Sequence, residues 1–120
     1  MQRQISSVLS RSLAVPTCGR IDIISLDTLV RVEAISNYSK LFLSNGKTLV
    51  VAKVLKKFEQ RLDARQFVRT HKAHLVNLDF IISYCRGAEK KIVLANGETV
   101  AVARRKQKYL SQQLQYREAS

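Results

Sequence analysis

The sequence predicts a mainly β domain, with short strands in small antiparallel sheets and two or three short helices. Three observations carry this prediction. The dipeptide Asn-Gly occurs at Asn45-Gly46 and again at Asn96-Gly97, each time between apolar runs. It is a strong hairpin signal, because a type I′ turn needs positive φ at both central positions. Helical spacing of apolar residues is confined to brief windows, and strands never alternate with helices over the length of a βαβ unit. A doubly wound parallel sheet is therefore excluded.

Taken in order, residues 1–20 hold Ser7, Ser10, Ser12, Pro16 and Gly19, with Ile5, Val8, Leu9 and Leu13 at helical spacing. They read as a short helix followed by a linker ending at Pro16. The expected organisation is an N-terminal segment over 1–20, one domain over 21–116 and a fraying tail over 117–120. Ile21 to Ser25 and Leu29 to Ile35 are short β runs about Asp27-Thr28. In the second, Val30, Val32 and Ala34 alternate with Arg31, Glu33 and Ile35, as in a half-buried strand. Ser36-Asn37-Tyr38-Ser39 breaks the pattern. Strand character resumes from Lys40 to Ser44, turns at Asn45-Gly46 and returns over Lys47 to Ala52.

From Lys53 to Leu62 the period lengthens, and Leu55, Phe58 and Leu62 share one helical face. Phe80 to Cys85 is apolar and β-like, and Arg86-Gly87-Ala88 is a turn. Ile92 to Ala95, Asn96-Gly97 and Thr99 to Val102 form the second hairpin. Arg104 to Gln115 reads as a terminal helix with Leu110 and Leu114 inward. The two Asn-Gly hairpins echo each other, each running through Val-Ala into a basic helix start. Two like hairpins explain this more simply than duplication.

Composition narrows the function. With 120 residues, 46% of them apolar, the chain can bury one core. No apolar run approaches the roughly 20 residues of a spanning helix, and Arg3 and Arg11 break up any leader-like segment. Two cysteines, Cys18 and Cys85, are too few for a disulfide scaffold, which points to a cytoplasmic protein. The net charge of +12 and the pI near 10.2 favour a polyanionic partner.

The cations cluster about Phe67-Val68-Arg69-Thr70-His71-Lys72-Ala73-His74-Leu75-Val76-Asn77 and again at Arg104-Arg105-Lys106. Apolar anchors bracket the first cluster, so it reads as a polar recognition surface clamped onto a β domain. Lys and Arg hold phosphates without reading sequence, whereas Asn and Arg can bond base edges bidentately. Asn77 and Arg104 within a cationic fringe supply both kinds of contact. His71 and His74 with two distant cysteines lack zinc-ligand spacing. The chain has no Gly-rich phosphate loop, nucleophile elbow or paired acids, and turn or cap duty explains Asp22 and Asp27. No enzyme, cofactor or metal site is expected.

At these residues the chain resembles the LytTR-type DNA-binding domain, the output domain of bacterial response regulators in two-component systems. The likeness runs through Val32-Glu33-Ala34, Asn37-Tyr38, Asn45-Gly46, the Phe67 to Asn77 motif, Asn96-Gly97 and Ala103-Arg104-Arg105. The resemblance implies an elongated fold of about ten short strands that inserts loops into successive major grooves of double-stranded DNA. It implies base reading by Asn37, Asn77 and Arg104, and phosphate contacts from Lys40, Arg69, His71, Lys72, Arg105 and Lys106. Ala103 and Ala73 stand where the family commonly has Ser, which removes two hydroxyls. Pairs of molecules on adjacent repeats, and an upstream kinase or receiver partner, are further implications. The rival reading is a non-specific polyanion binder for RNA or an anionic surface. RNA modules normally present stacking aromatics, and this chain has only 4 Phe, 4 Tyr and no Trp.

Overall fold

A computed structural model describes residues 11–116, the side chain of the last excepted. The strands are β1 (Ser12–Thr17), β2 (Arg20–Ser25), β3 (Leu29–Ile35), β4 (Tyr38–Leu43), β5 (Thr48–Val51), β6 (Phe67–His71), β7 (His74–Asn77), β8 (Ile81–Arg86), β9 (Lys90–Leu94) and β10 (Thr99–Ala101). The helices are α1 (Leu55–Arg61) and α2 (Gln107–Tyr116), with single 3-10 turns at Leu26–Thr28, Leu78–Phe80 and Arg104–Lys106. All ladders are antiparallel. A five-stranded sheet in the order β5-β4-β3-β7-β6 lies between the β1-β2 hairpin and a three-stranded sheet β10-β9-β8. The mainly β expectation holds, with ten strands among the described residues.

The central sheet buries both faces; strand alternation decides which residue goes where, except that a bulge between Leu29 and Arg31 puts Val30 and Val32, expected on one face, into opposite cores. Val32, Leu41, Leu75 and Phe67 meet Leu13, Val15 and Ile24 of the hairpin and Leu55, Phe58 and Leu62 of the helical segment. Val30, Val68 and Val76 meet Ile92, Leu94, Val100 and Leu110 on the other side. Fully burying one such aliphatic side chain contributes about 1.5–3 kcal/mol. The central strands are thus clamped from two sides, and the loops at their ends are held by rigid elements.

Two expectations are corrected. The linker ending at Pro16 is the strand β1, paired residue for residue with β2 from Ser12↔Ser25 to Thr17↔Arg20. Pro16 is tolerated there because β1 is an edge strand. Of the helix expected from Ile5, Val8, Leu9 and Leu13, Leu13 lies in β1, and the rest falls outside the described residues.

The Asn-Gly turns are also of another type. Only the glycines have positive φ, +88° at Gly46 and +89° at Gly97, and neither asparagine does. Gly46 N–H donates to Leu43 O and Leu43 N–H to Lys47 O, a pattern repeated at Leu94, Gly97 and Glu98. This is a turn closed by a left-handed glycine and a bulge rather than a type I′ turn. Each Asn side chain accepts the N–H two residues on, of Lys47 and of Glu98.

Among the described residues, no helix is long and apolar enough to cross a membrane.

Candidate nucleic-acid interface

The motif from Phe67 to Asn77 is the β6-β7 hairpin. Its register runs Phe67↔Asn77, Val68↔Val76, Arg69↔Leu75 and His71↔His74, with a bulge at Thr70. The apolar residues alternate between the two cores, and Lys72-Ala73 is left as the tip, with Lys72 exposed and Ala73 half-buried. Arg69 builds that tip. Its Nε donates to His71 O at 3.0 Å, Nη2 to Lys72 O at 2.6 Å and Nη1 to Glu59 Oε1 of α1 at 2.7 Å. A planar guanidinium suits such a multi-point clamp. Arg69 is therefore engaged within the protein, with 19% of its side chain exposed.

Three loops sit side by side at this end of the molecule. The β3-β4 turn, with Ser36 at φ +56° and Asn37 exposed, is tied to the central tip by Ala34 N–H donating to Ala73 O at 2.9 Å. On the other flank, Ala103 N–H donates to Thr70 O at 2.7 Å. That bond docks the 3-10 turn carrying Arg104, Arg105 and Lys106 onto β6. Lys72, Arg105 and Lys106 share a groove of about 200 Å³ with Arg69, Glu59 and Ala103. Arg104 and Arg105 are exposed. The expected terminal helix thus begins as a tight turn that presents these cations, and α2 starts only at Gln107.

Lys40 stands further along. It pairs with Glu33, which pairs with His74, which pairs with His71, so one row crosses four strands. Its Nζ lies 5.2 Å from the Phe42 ring centroid.

Asn77 does not join these groups. It is fully buried. Its Nδ2 donates to Leu29 O at 2.9 Å and Leu26 O at 3.3 Å, and its Oδ1 accepts Asp79 N–H at 2.9 Å. The base-reading expectation for Asn77 is corrected, because its hydrogen-bonding capacity is spent inside the fold.

Sequence reading also missed Arg31. It is only 8% exposed and bonds both oxygens of Glu98, at 3.1 and 3.0 Å, and Glu33 at 2.8 Å. It stacks 3.6 Å from the Phe42 ring centroid. Burial disfavours its charge, but the bonds to Glu98 and Glu33 outweigh this and raise its pKa.

The two histidines differ. His71 Nδ1 accepts Ala73 N–H at 3.1 Å, which fixes the ring against the tip. His74 Nδ1 is buried without a hydrogen-bond partner, 4.0 Å from Glu33 Oε1. Desolvation lowers the His74 pKa, and Glu33 opposes this only in part. An unfolded chain then takes up a proton before the native one does. The stability this gives is present above the unfolded value near 6.5 and is lost as pH falls through the depressed folded value. The urea midpoint should drop on going from pH 7 to 5, and drop less in His74→Gln. An equal drop in both proteins would assign the acid sensitivity elsewhere.

Fold and loops together define a β module with a cationic loop-bearing edge, suited to a polyanion. The description "LytTr DNA-binding domain" matches residues 19–115, and the chain belongs to this family of DNA-binding domains. A solved structure of similar fold is the LytTr DNA-binding domain of a Bacillus cereus protein described as a methyl-accepting/DNA response regulator. The likeness has a TM-score of 0.75 at 20% identity, covering 87% of this chain and 96% of that one. A comparison with curated proteins returned no match.

Proposed function

We propose that this domain is a sequence-specific binder of double-stranded DNA in a cytoplasmic transcription regulator, reading bases from loops laid in successive major grooves. The observation that supports this best is the backbone bonding that sets the three loops side by side. A disordered cationic surface would need no such register. Asn37 and Arg104, both exposed on the outer loops, are the base readers. With Asn77 inside the core, Lys72 at the central tip takes its place, since Lys can bond the guanine O6/N7 edge. His71, Arg105, Lys106 and the more distant Lys40 hold phosphates. Arg69 shapes the tip from behind. The same reading places paired molecules on adjacent repeats and an upstream receiver or kinase partner.

The test is site selection from random duplexes, followed by salt titration of the selected and a scrambled duplex. A specific regulator binds its site about a thousandfold or more above the scramble. Arg104→Ala should cost about 1–3 kcal/mol on the selected duplex and relax preference at one position. Arg105→Ala should weaken both duplexes alike and lower the salt slope by about 1. Equal affinity for both duplexes with one steep salt slope would leave only non-specific polyanion binding.

A further inference from the structure

A larger groove, of about 640 Å³, lies between β1 and the β5-α1 segment. Its accessible apolar lining is Ala14, Pro16, Ala52 and Val54, set over the buried Leu13, Val15, Val51 and Phe58. Its remaining charged lining is Lys53, Lys57 and Arg61, with no acidic side chain. Among the described residues, none of these three cationic groups takes part in an ion pair. Lys57 and Arg61 are one helical turn apart and repel each other. An anion between them would relieve that repulsion.

This groove is separate from the cationic edge. Glu59, the α1 residue that grips Arg69, is two positions from both Lys57 and Arg61, so it faces the opposite flank of the helix. A volume of this size, an apolar floor and a few convergent polar groups are what small-molecule sites share. Duplex DNA could touch the rim but could not fill the apolar floor. Residues 1–10 carry Arg3 and no acid, so their charge does not complement the rim.

We infer that this groove is a binding site for a small amphipathic anion, with an apolar body against Ala14, Pro16, Ala52 and Val54 above the buried Leu13-Val51-Phe58 layer and one acidic head among Lys53, Lys57 and Arg61. This inference stands independently of the DNA-reading proposal.

Decanoate, below its micellar concentration, is the probe. It is titrated into the full chain labelled at methyl groups and backbone amides. The expected result is saturable shifts at the Leu13, Val15, Val51 and Val54 methyls. The double variant K57E/R61E, whose changed side chains are exposed, should weaken binding at least tenfold, and R105A should leave it unchanged. Lys53→Glu is a second variant on the rim, expected to weaken binding severalfold should the double variant fold poorly. Decyltrimethylammonium, with the same body and the opposite head, should not saturate the site. Shifts confined to the Lys72-Arg105 groove, unchanged affinity in a folded rim variant, or equal binding of the cationic amphiphile would overturn the inference. So would a Glu/Leu-rich hexapeptide that binds the groove where decanoate does not.

Discussion

Asn77→Asp is expected to leave the domain largely unfolded at pH 7, and Asn77→Ala to cost about 3 kcal/mol of stability without changing which DNA sequence is preferred. The residue is 0% exposed, and three backbone groups depend on it: the Leu26 and Leu29 carbonyls and the Asp79 amide. Alanine takes a partner from each, most severely from the Leu29 carbonyl, whereas Leu26 O keeps the Leu29 N–H; an unsatisfied buried polar group costs about 1–3 kcal/mol. Partial access of water near Leu26 holds the sum below the upper end. Aspartate is worse, since an ionised carboxylate can only accept and would face two carbonyl oxygens. Its pKa would be driven up, so stability should be greatest at low pH and fall as pH rises above the ordinary aspartate value near 3.9. Urea unfolding of both variants at pH 5 and 7, with site selection on the folded Asn77→Ala protein, provides the check. Normal stability with an altered DNA preference would return Asn77 to the DNA-facing surface.

Why Asn77 misled a reading of sequence is physical. Asparagine serves equally as a cap and as a reader of adenine, and only its surroundings choose between them. Its neighbours Val76 and Leu78 are both buried, and that flanking was the available signal for burial. Arg69 is similar: it bonds the carbonyls of its own turn, and nothing in a basic motif announces that. Strand β1 was hidden because Pro16 and the serines read as breakers, and because the inward pair Leu13 and Val15 is too short an alternation to compete.

Local signals were legible wherever local chemistry decides the structure. Gly46 and Gly97 mark hairpins because the turns need their positive φ, and Leu55, Phe58 and Leu62 mark a helical face because all three meet one core. The exposure of Asn37, Lys72, Arg104 and Arg105 was also legible, since polar side chains in short turns between apolar runs have no core to enter. What was not legible is the clamp between sheets: Arg31 and Glu98 are 67 positions apart, and no periodicity links them.

That clamp carries the second large effect. Glu98→Ala should cost about 2–3 kcal/mol, below the roughly 3–5 of a fully buried pair, because Glu33 still holds one arm of Arg31 and Glu98 is itself partly exposed. Arg31→Met should cost less, because it leaves carboxylates 33% and 37% exposed that water can reach, and methionine can still cover the Phe42 ring. The double change Arg31→Met with Glu98→Ala should lie within about 1 kcal/mol of the parent, as apolar replacement of a buried pair is often neutral. The pH dependence follows in sign. Arg31 holds the Glu98 carboxyl below its ordinary range. The stability it contributes is thus present above the unfolded glutamate value and is lost as pH falls through the depressed one. A double-mutant cycle by urea unfolding at pH 7 and 3 measures all of this, and additive single costs at pH 7 would dissolve the clamp. Its place in the fold gives it a second consequence. Arg31 is on β3, which runs into the Asn37 turn, and Glu98 leads through β10 into Arg104. The pair therefore sets one outer loop against the other. The double variant should fold as well as the parent yet lose affinity for the selected duplex more than for the scrambled one, because loops out of register still neutralise phosphates but no longer meet their bases together.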